Sequence, residues 1–335
     1  MINREDNTKP KKNDTIGSEY DMGEAEYNRC LIAAELSTFV DAQRVEKPKS
    51  IFTVAQPGAR KNRFKKLFNK WITVSRKFSK FIEFNPDEIS THHKFYPEII
   101  QNYPDDSYTI LQRFTRRALD EYLRQRAVEI RCNIMQEGTF GSTDSYIEIL
   151  NFQKNGGNVP IGRVQEDGKR TIRHVRGNYI IEVNTLAVNR YESLLSCFER
   201  EQDFDESGLP PRAVTIENHD RAYEKMLDTI DIIEKRKLYD KMRVFRRGYI
   251  EERPELIYVT GDRRFQSTAE AIRQERKKQT VELFKNPEPY IIRIKDLKAR
   301  ATNYQNTSLI RRIDTLENMF YKQLEECNKS KEIDE

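Results

Sequence analysis

Residues 50–54 read S-I-F-T-V, residues 55–62 follow as A-Q-P-G-A-R-K-N, and R-F-K-K-L-F-N-K-W-I comes after them. A short apolar run stopped by a Pro-Gly turn has the length and β-branched content of a buried strand, and the basic stretch beyond has apolar residues at helical spacing. Strand, glycine-bearing loop, lysine and helix in this order are the parts of a phosphate loop, whose pattern is G-x-x-x-x-G-K-[ST]. Its glycines let backbone N–H groups face phosphate, its lysine neutralises charge and its hydroxyl holds magnesium. Aligned on Lys61, the sequence has Ala55 for the first glycine, Arg60 for the second and Asn62 for the hydroxyl. The context is intact and the glycine pattern is broken.

Working outward, further short apolar runs are expected as strands at 81–84, 130–135, 179–188, 242–245 and 256–259. Helical periodicity lies between them, notably at 24–46, at 109–126 and after 188 through Glu199. Such alternation predicts an α/β fold with a mainly parallel sheet flanked by helices. Ligands of these sheets bind beyond the carboxyl ends of the strands. The loop 55–62, Asn85-Pro86-Asp87 and Glu137-Gly138-Thr139 each stand just past a predicted strand, so all three are expected on one edge.

Three segments stand outside the alternation. Residues 1–23, rich in charge, are expected as a flexible tail. Residues 159–178 carry β-like runs on either side of Asp167-Gly168 and are expected as an inserted basic hairpin. Residues 263–335 are expected as a helical extension packed on a domain spanning 24–262. Its first helix is opened by the capping box Ser267-x-x-Glu270, and little in the extension promises a core of its own.

Composition narrows the function classes. Against 59 basic and 54 acidic side chains the net charge of +5 suits anionic ligands. It lacks the concentrated basicity of a dedicated nucleic-acid binder, so nucleic acid is not the expected partner. No apolar run approaches a membrane span, and no apolar signal core follows the N-terminus. Cys30, Cys132, Cys197 and Cys327 are widely spaced with no C-x-x-C pair, which points to reduced thiols and a cytoplasmic protein. His92 and His93 have no metal-ligand spacing and read as surface residues. His219 reads as a capping or packing residue, and Trp71 as a core or interface aromatic.

Gln56-Pro57-Gly58-Ala59 resembles the start of the zeta-toxin phosphate loop, Q-P-G-[AS]-G-K-[ST]. The resemblance continues in order through Asn85-Pro86-Asp87, Glu137-Gly138-Thr139, Glu199-Arg200-Glu201, and Pro211-Arg212 with His219-Asp220. It implies a P-loop kinase fold. It also implies an ATP- and magnesium-dependent kinase acting on a sugar hydroxyl of UDP-N-acetylglucosamine or a related UDP-sugar, with a small helical antitoxin as partner. By resemblance, Asp87 is the base that accepts the hydroxyl proton, and Arg200 and Arg212 stabilise the transferring phosphoryl group. Gln56, Pro57, Gly58, Ala59, Arg60, Lys61 and Asn62 hold the nucleotide phosphates, with Asn62 also the weak magnesium ligand. Glu137 and Thr139 bind the acceptor.

The departures define a second reading. Arg60 either blocks ATP or swings out and adds charge to it, and the amide of Asn62 is a poorer magnesium ligand than a hydroxyl. A catalytically impaired pseudokinase or binding module of the same fold is therefore the alternative. Two residue-level alternatives also stand: Asp87 as the N-cap of a helix after Pro86, and Arg200 and Arg212 as surface partners of Glu199, Glu201 or Asp205.

Overall fold

A computed structural model describes residues 16–61, 64, 80–103, 106–161, 171–209, 213–247 and 254–334. In chain order the elements begin with α1 (Glu24–Phe39), β1 (Lys49–Val54), β2 (Phe81–Phe84), α2 (Pro86–Ser90), α3 (Tyr96–Asn102) and α4 (Ser107–Ala118). A π-helical turn, Leu119–Leu123, joins α4 to α5 (Arg124–Ile130). Next come β3 (Asn133–Gly138), α6 (Thr143–Asn155), β4 (Gly157–Ile161), β5 (Thr171–Val175), β6 (Ile180–Ala187), α7 (Arg190–Glu206) and α8 (Ile216–Lys235). The chain continues through β7 (Lys241–Arg246), β8 (Glu255–Val259), α9 (Thr268–Lys285), α10 (Glu288–Asn303) and α11 (Thr307–Asp334).

The main sheet has the order β2-β3-β1-β6-β7-β8. All its pairings are parallel except β7 with β8, which is an antiparallel edge. Strand β1 is central and every residue from Ser50 to Val54 is buried, as befits a parallel strand covered on both faces. Its neighbours are β3 on one side and β6 on the other, and the chain departs to opposite sides of β1. The carboxyl ends of β1 and β3 therefore meet at the point where such sheets bind ligands. The expected α/β architecture is borne out. The third strand sits a few residues later than its apolar run suggested, because Ile130 closes α5 and Arg131, left-handed at φ 63°, turns the chain first.

β4 and β5 pair antiparallel outside the main sheet, as expected of an inserted hairpin; its Asp167-Gly168 turn lies outside the described residues. One expectation needs correction. From residue 16 onward the supposed tail is packed: Arg113 donates to the carbonyls of Ile16 and Gly17 (3.1 and 2.9 Å), and the Tyr20 ring meets Phe95 and Tyr103. The C-terminal extension packs on α7 of the main domain through a shared core. Tyr191, Leu194, Leu195 and Phe198 are buried against Tyr290, Ile294, Ile313 and Phe320. The Phe320 ring lies 4.7 Å from Tyr290 and 5.6 Å from Tyr191. These apolar residues are spaced three or four apart among many charges, so local composition hid the stripe. Ser267 caps α9 as expected, accepting from the Glu270 N–H at 3.1 Å.

Candidate active site

The loop after β1 begins with the Ala55 N–H donating to the Gly138 carbonyl (3.2 Å), which ties it to the end of β3. Gly58 has φ 75°, and a Cβ there would lie 1.8 Å from the Ser193 carbonyl oxygen of α7. No other residue type fits this approach without moving the helix. Ala59 is fully buried and Pro57 partly so. Arg60 is left-handed at φ 59°, and its carbonyl accepts from the Phe64 N–H (3.3 Å) as the next helix begins. Arginine thus holds the backbone geometry that a glycine adopts without strain. Asn62 and the basic helix with Trp71 lie outside the described residues, apart from Phe64, whose ring packs 4.9 Å from Phe245.

Side chains from distant segments hold the loop. The Gln56 amide donates to the Val188 carbonyl (2.8 Å) and its oxygen accepts from Arg276 of α9 (3.0 Å). Arg276 is buried and stacked on Tyr223 at 3.6 Å. Arg247 reaches the Gly58 carbonyl (3.3 Å) and the Glu192 carboxylate (2.9 Å). Arg293 of α10 binds the same Glu192 (2.9 Å) and grips both oxygens of Glu199 (2.9 and 3.0 Å). Arg60 swings outward onto Glu199, at 3.2 Å.

Lys61 folds back, donating to the carbonyls of Ala55 (3.0 Å) and Gln56 (3.3 Å). Burial pulls its ammonium down to about 8, the Glu137 carboxylate pulls it back up, and Arg200 adds to the lowering. Lys61, Glu137 and Arg200 are therefore electrostatic neighbours.

Beside them is a cleft of about 420 Å³ lined by Asp87, Tyr96, Arg116, Glu137, Thr139 and Tyr146, among others. Asp87 stands in the first turn of α2, but the cap is Asn85, whose side chain accepts from the Asp87 N–H at 3.1 Å. The capping alternative for the Asp87 carboxylate is thereby excluded. Gly138 is explained by Tyr146, whose hydroxyl would lie 2.3 Å from a Cβ at that position. Phe140, left-handed at φ 52°, turns the chain after Thr139 and buries its ring against Tyr146 at 4.4 Å.

Arg200 is exposed on α7 and makes no hydrogen bond or ion pair among the described residues. The acidic groups around it are taken. Glu199 is held by Arg293, Glu201 by Arg312 (2.8 Å), Asp203 by Arg300 (2.7 Å) and Asp205 by Asn306 (3.2 Å). Surface pairing with Glu199, Glu201 or Asp205 is not what Arg200 does. Arg212 lies outside the described residues.

His219 is buried. Its Nε2 meets the Ser193 hydroxyl at 2.8 Å and its Nδ1 meets Asp220 at 3.1 Å. Asp220 is gripped by Arg190 (2.8 and 2.6 Å). The order resembles a serine-histidine-aspartate triad, but Ser193 and His219 are wholly enclosed, so the chain of bonds joins α7 to α8 under the loop. Of the histidine pair, His93 departs from the expected surface position: it is buried, and its Nδ1 accepts from the Phe95 N–H at 3.2 Å. Sequence reading found the loop and the cleft carboxylates. It missed Arg247, Arg276 and Arg293, which carry no motif and stand far along the chain from the loop they hold. Among the described residues no group of three or more His, Cys, Asp or Glu is placed to hold a metal, and no helix is long and apolar enough to cross a membrane.

A glycine-bearing loop with a lysine at the end of the central parallel strand, in a mainly parallel sheet flanked by helices, defines a P-loop kinase-type fold. The chain belongs to the zeta toxin family, whose model matches residues 34–164 and 162–253, well over half the chain. Among solved structures it is similar to one from the PezAT chromosomal toxin–antitoxin system of Streptococcus pneumoniae. That likeness has a TM-score of 0.58 and 17% identity, and covers 76% of this chain and 88% of that one. A weaker likeness, TM-score 0.45 and 13% identity over 87% of this chain and 88% of the other, is to the AvrRxo1-ORF1:-ORF2 complex with ATP. No curated protein matches the sequence.

Proposed function

We propose that this protein is an ATP-dependent phosphotransferase whose acceptor is a sugar hydroxyl of a UDP-sugar such as UDP-N-acetylglucosamine. One observation carries the reading: Glu137 lines the same cleft as Asp87 and Thr139, and its carboxylate is near enough to Lys61 to favour the charged ammonium. Phosphate loop and acceptor cleft thus share a wall. A cleft of about 420 Å³ is within the range for a small-molecule ligand.

In this reading the acceptor hydroxyl lies against Asp87, which takes its proton as the oxygen attacks the γ-phosphorus and the bond to the ADP oxygen breaks. Lys61 leaves the Ala55 and Gln56 carbonyls for the β/γ-phosphates. Arg200, which has no acidic partner among the described residues, neutralises charge on the transferring group, with Arg212 as its companion by family resemblance. Glu137 and Thr139 orient the acceptor. Magnesium, carried on the nucleotide and assigned by resemblance to Asn62, would supply further neutralisation of the phosphate oxygens. A small helical antitoxin is the proposed protein partner, in keeping with the toxin–antitoxin system to which the similar structure belongs.

The second reading, a pseudokinase, is favoured by the folded-back Lys61. Incubation with Mg·ATP and a panel of UDP-sugars separates the two. Phosphorylated sugar nucleotide that disappears with Asp87→Ala supports the kinase. Binding of UDP-sugar without turnover supports the pseudokinase.

A further inference from the structure

Glu199 is held very unequally by its two arginines. Arg293 presents a fork, with Nε on one oxygen at 2.9 Å and Nη2 on the other at 3.0 Å, and its remaining nitrogen is fixed on Glu192 at 2.9 Å. Arg60 offers one nitrogen at 3.2 Å from a side chain 42% exposed. Forked guanidinium–carboxylate pairs are the strong form of this contact, and single exposed pairs contribute little. Arg60 is also the residue next to Lys61, in the loop that would take the phosphates. A polyphosphate there offers its guanidinium a denser negative charge than the carboxylate it now touches. Loss of Arg60 would leave Glu199 compensated, because Arg293 already holds both of its oxygens.

We propose that Glu199 is an exchangeable resting place for Arg60: a nucleotide polyphosphate draws Arg60 off Glu199 and into the phosphate site, and Arg293 permits the exchange by keeping Glu199 neutralised. Arg60 is then a phosphate-binding residue specific to this loop, and Arg293 is a positioning residue. α10 lies beyond residue 253, where the match to the family model ends, so the C-terminal extension becomes a working part of the nucleotide site. The inference rests on the nucleotide-binding reading above and adds to it the means by which an arginine in the glycine position is accommodated.

The test is calorimetric titration of the full chain with Mg·ATP and with inorganic tripolyphosphate, over wild type, Glu199→Gln, Arg60→Gly and the double variant. Glu199→Gln releases Arg60 and is expected to tighten both ligands by up to about fivefold, the upper worth of an exposed ion pair. In the Arg60→Gly background the same substitution is expected to change nothing. Arg293→Gln, if it folds, is expected to weaken both ligands by about tenfold and to be restored by adding Glu199→Gln. The first two variants suffice if it does not fold. Wild-type binding that Glu199→Gln leaves unchanged, or changes equally with and without Arg60, overturns the exchange and leaves the nucleotide site standing. Tighter binding confined to chains that keep Arg60 supports the exchange, even where wild type binds too weakly to measure. Absence of binding in every variant overturns the nucleotide-site reading and the exchange together.

Discussion

The Arg60 guanidinium lies 3.2 Å from the Glu199 carboxylate, reaching from the loop to α7. That contact settles which way the side chain points at the position where related loops have glycine. It does so while the Arg60 backbone remains in the left-handed conformation, at φ 59°. Side-chain blockage of the loop is therefore not a consequence of the substitution alone, and the cost is local backbone strain.

Arg60→Gly removes both the strain and the ion pair. Left-handed backbone costs a non-glycine residue about 1 kcal/mol, and an exposed ion pair is worth about 0–1 kcal/mol. The two nearly cancel, so the variant is expected to unfold within about 1 kcal/mol of wild type by urea titration. A loss of several kcal/mol would show that Arg60 holds the loop together.

Gly58→Ala behaves oppositely. The added methyl would sit 1.8 Å from the Ser193 carbonyl, on backbone that is already left-handed. Overpacking and strain together are expected to cost about 3 kcal/mol, read as a lowered Tm. Retained stability would mean that α7 can draw back from the loop.

At the start of α2 two neighbouring residues divide structure from chemistry. Asn85→Ala removes the cap and is expected to lower stability by about 1 kcal/mol. Asp87→Asn keeps the Asn85 cap, so stability should hold while phosphotransfer falls by about a hundredfold or more. The opposite assignment of effects would place Asp87 in the scaffold.

Lys61 predicts a pH dependence. Its ammonium is lowered to about 8 by burial, from an ordinary 10.5. Between these values the unfolded chain binds more protons than the folded one, so the contribution of Lys61 to stability rises with pH in that window. Nucleotide binding runs the other way, because phosphate needs the charged form. Affinity for Mg·ATP is expected to fall by up to about tenfold per pH unit above about 8, with proton uptake on binding. Calorimetry in two buffers of different ionisation heat measures the uptake, and no uptake at pH above about 8 would contradict it.

The sheet and the edge that bears the site were legible because β1 and β6 are short apolar runs and because Pro-Gly, Asn-Pro and Glu-Gly-Thr punctuate strand ends. Asp87, Glu137 and the loop announced themselves by position. What holds the loop did not. Gln56 meets Arg276 across 220 residues of sequence, and Gly58 meets Arg247 across 189. An isolated arginine in a chain with so many charges gives no local signal of burial. The joint core of α7 with α10 and α11 was obscured for a related reason, since its apolar stripe is diluted by surface charge on the other helical faces. Arg200 was legible as a candidate, but that the carboxylates beside it in sequence are held elsewhere follows only from the placement of Arg293, Arg300 and Arg312.

The central claim is phosphoryl transfer to a sugar nucleotide. Its most direct measurement is phosphorus NMR of UDP-N-acetylglucosamine incubated with Mg·ATP and the wild-type chain, beside Asp87→Asn. The expected result is a new phosphomonoester signal with matching ADP, absent with the variant. Unchanged spectra with UDP-N-acetylglucosamine and every other UDP-sugar tried, from a chain that binds Mg·ATP, would contradict it.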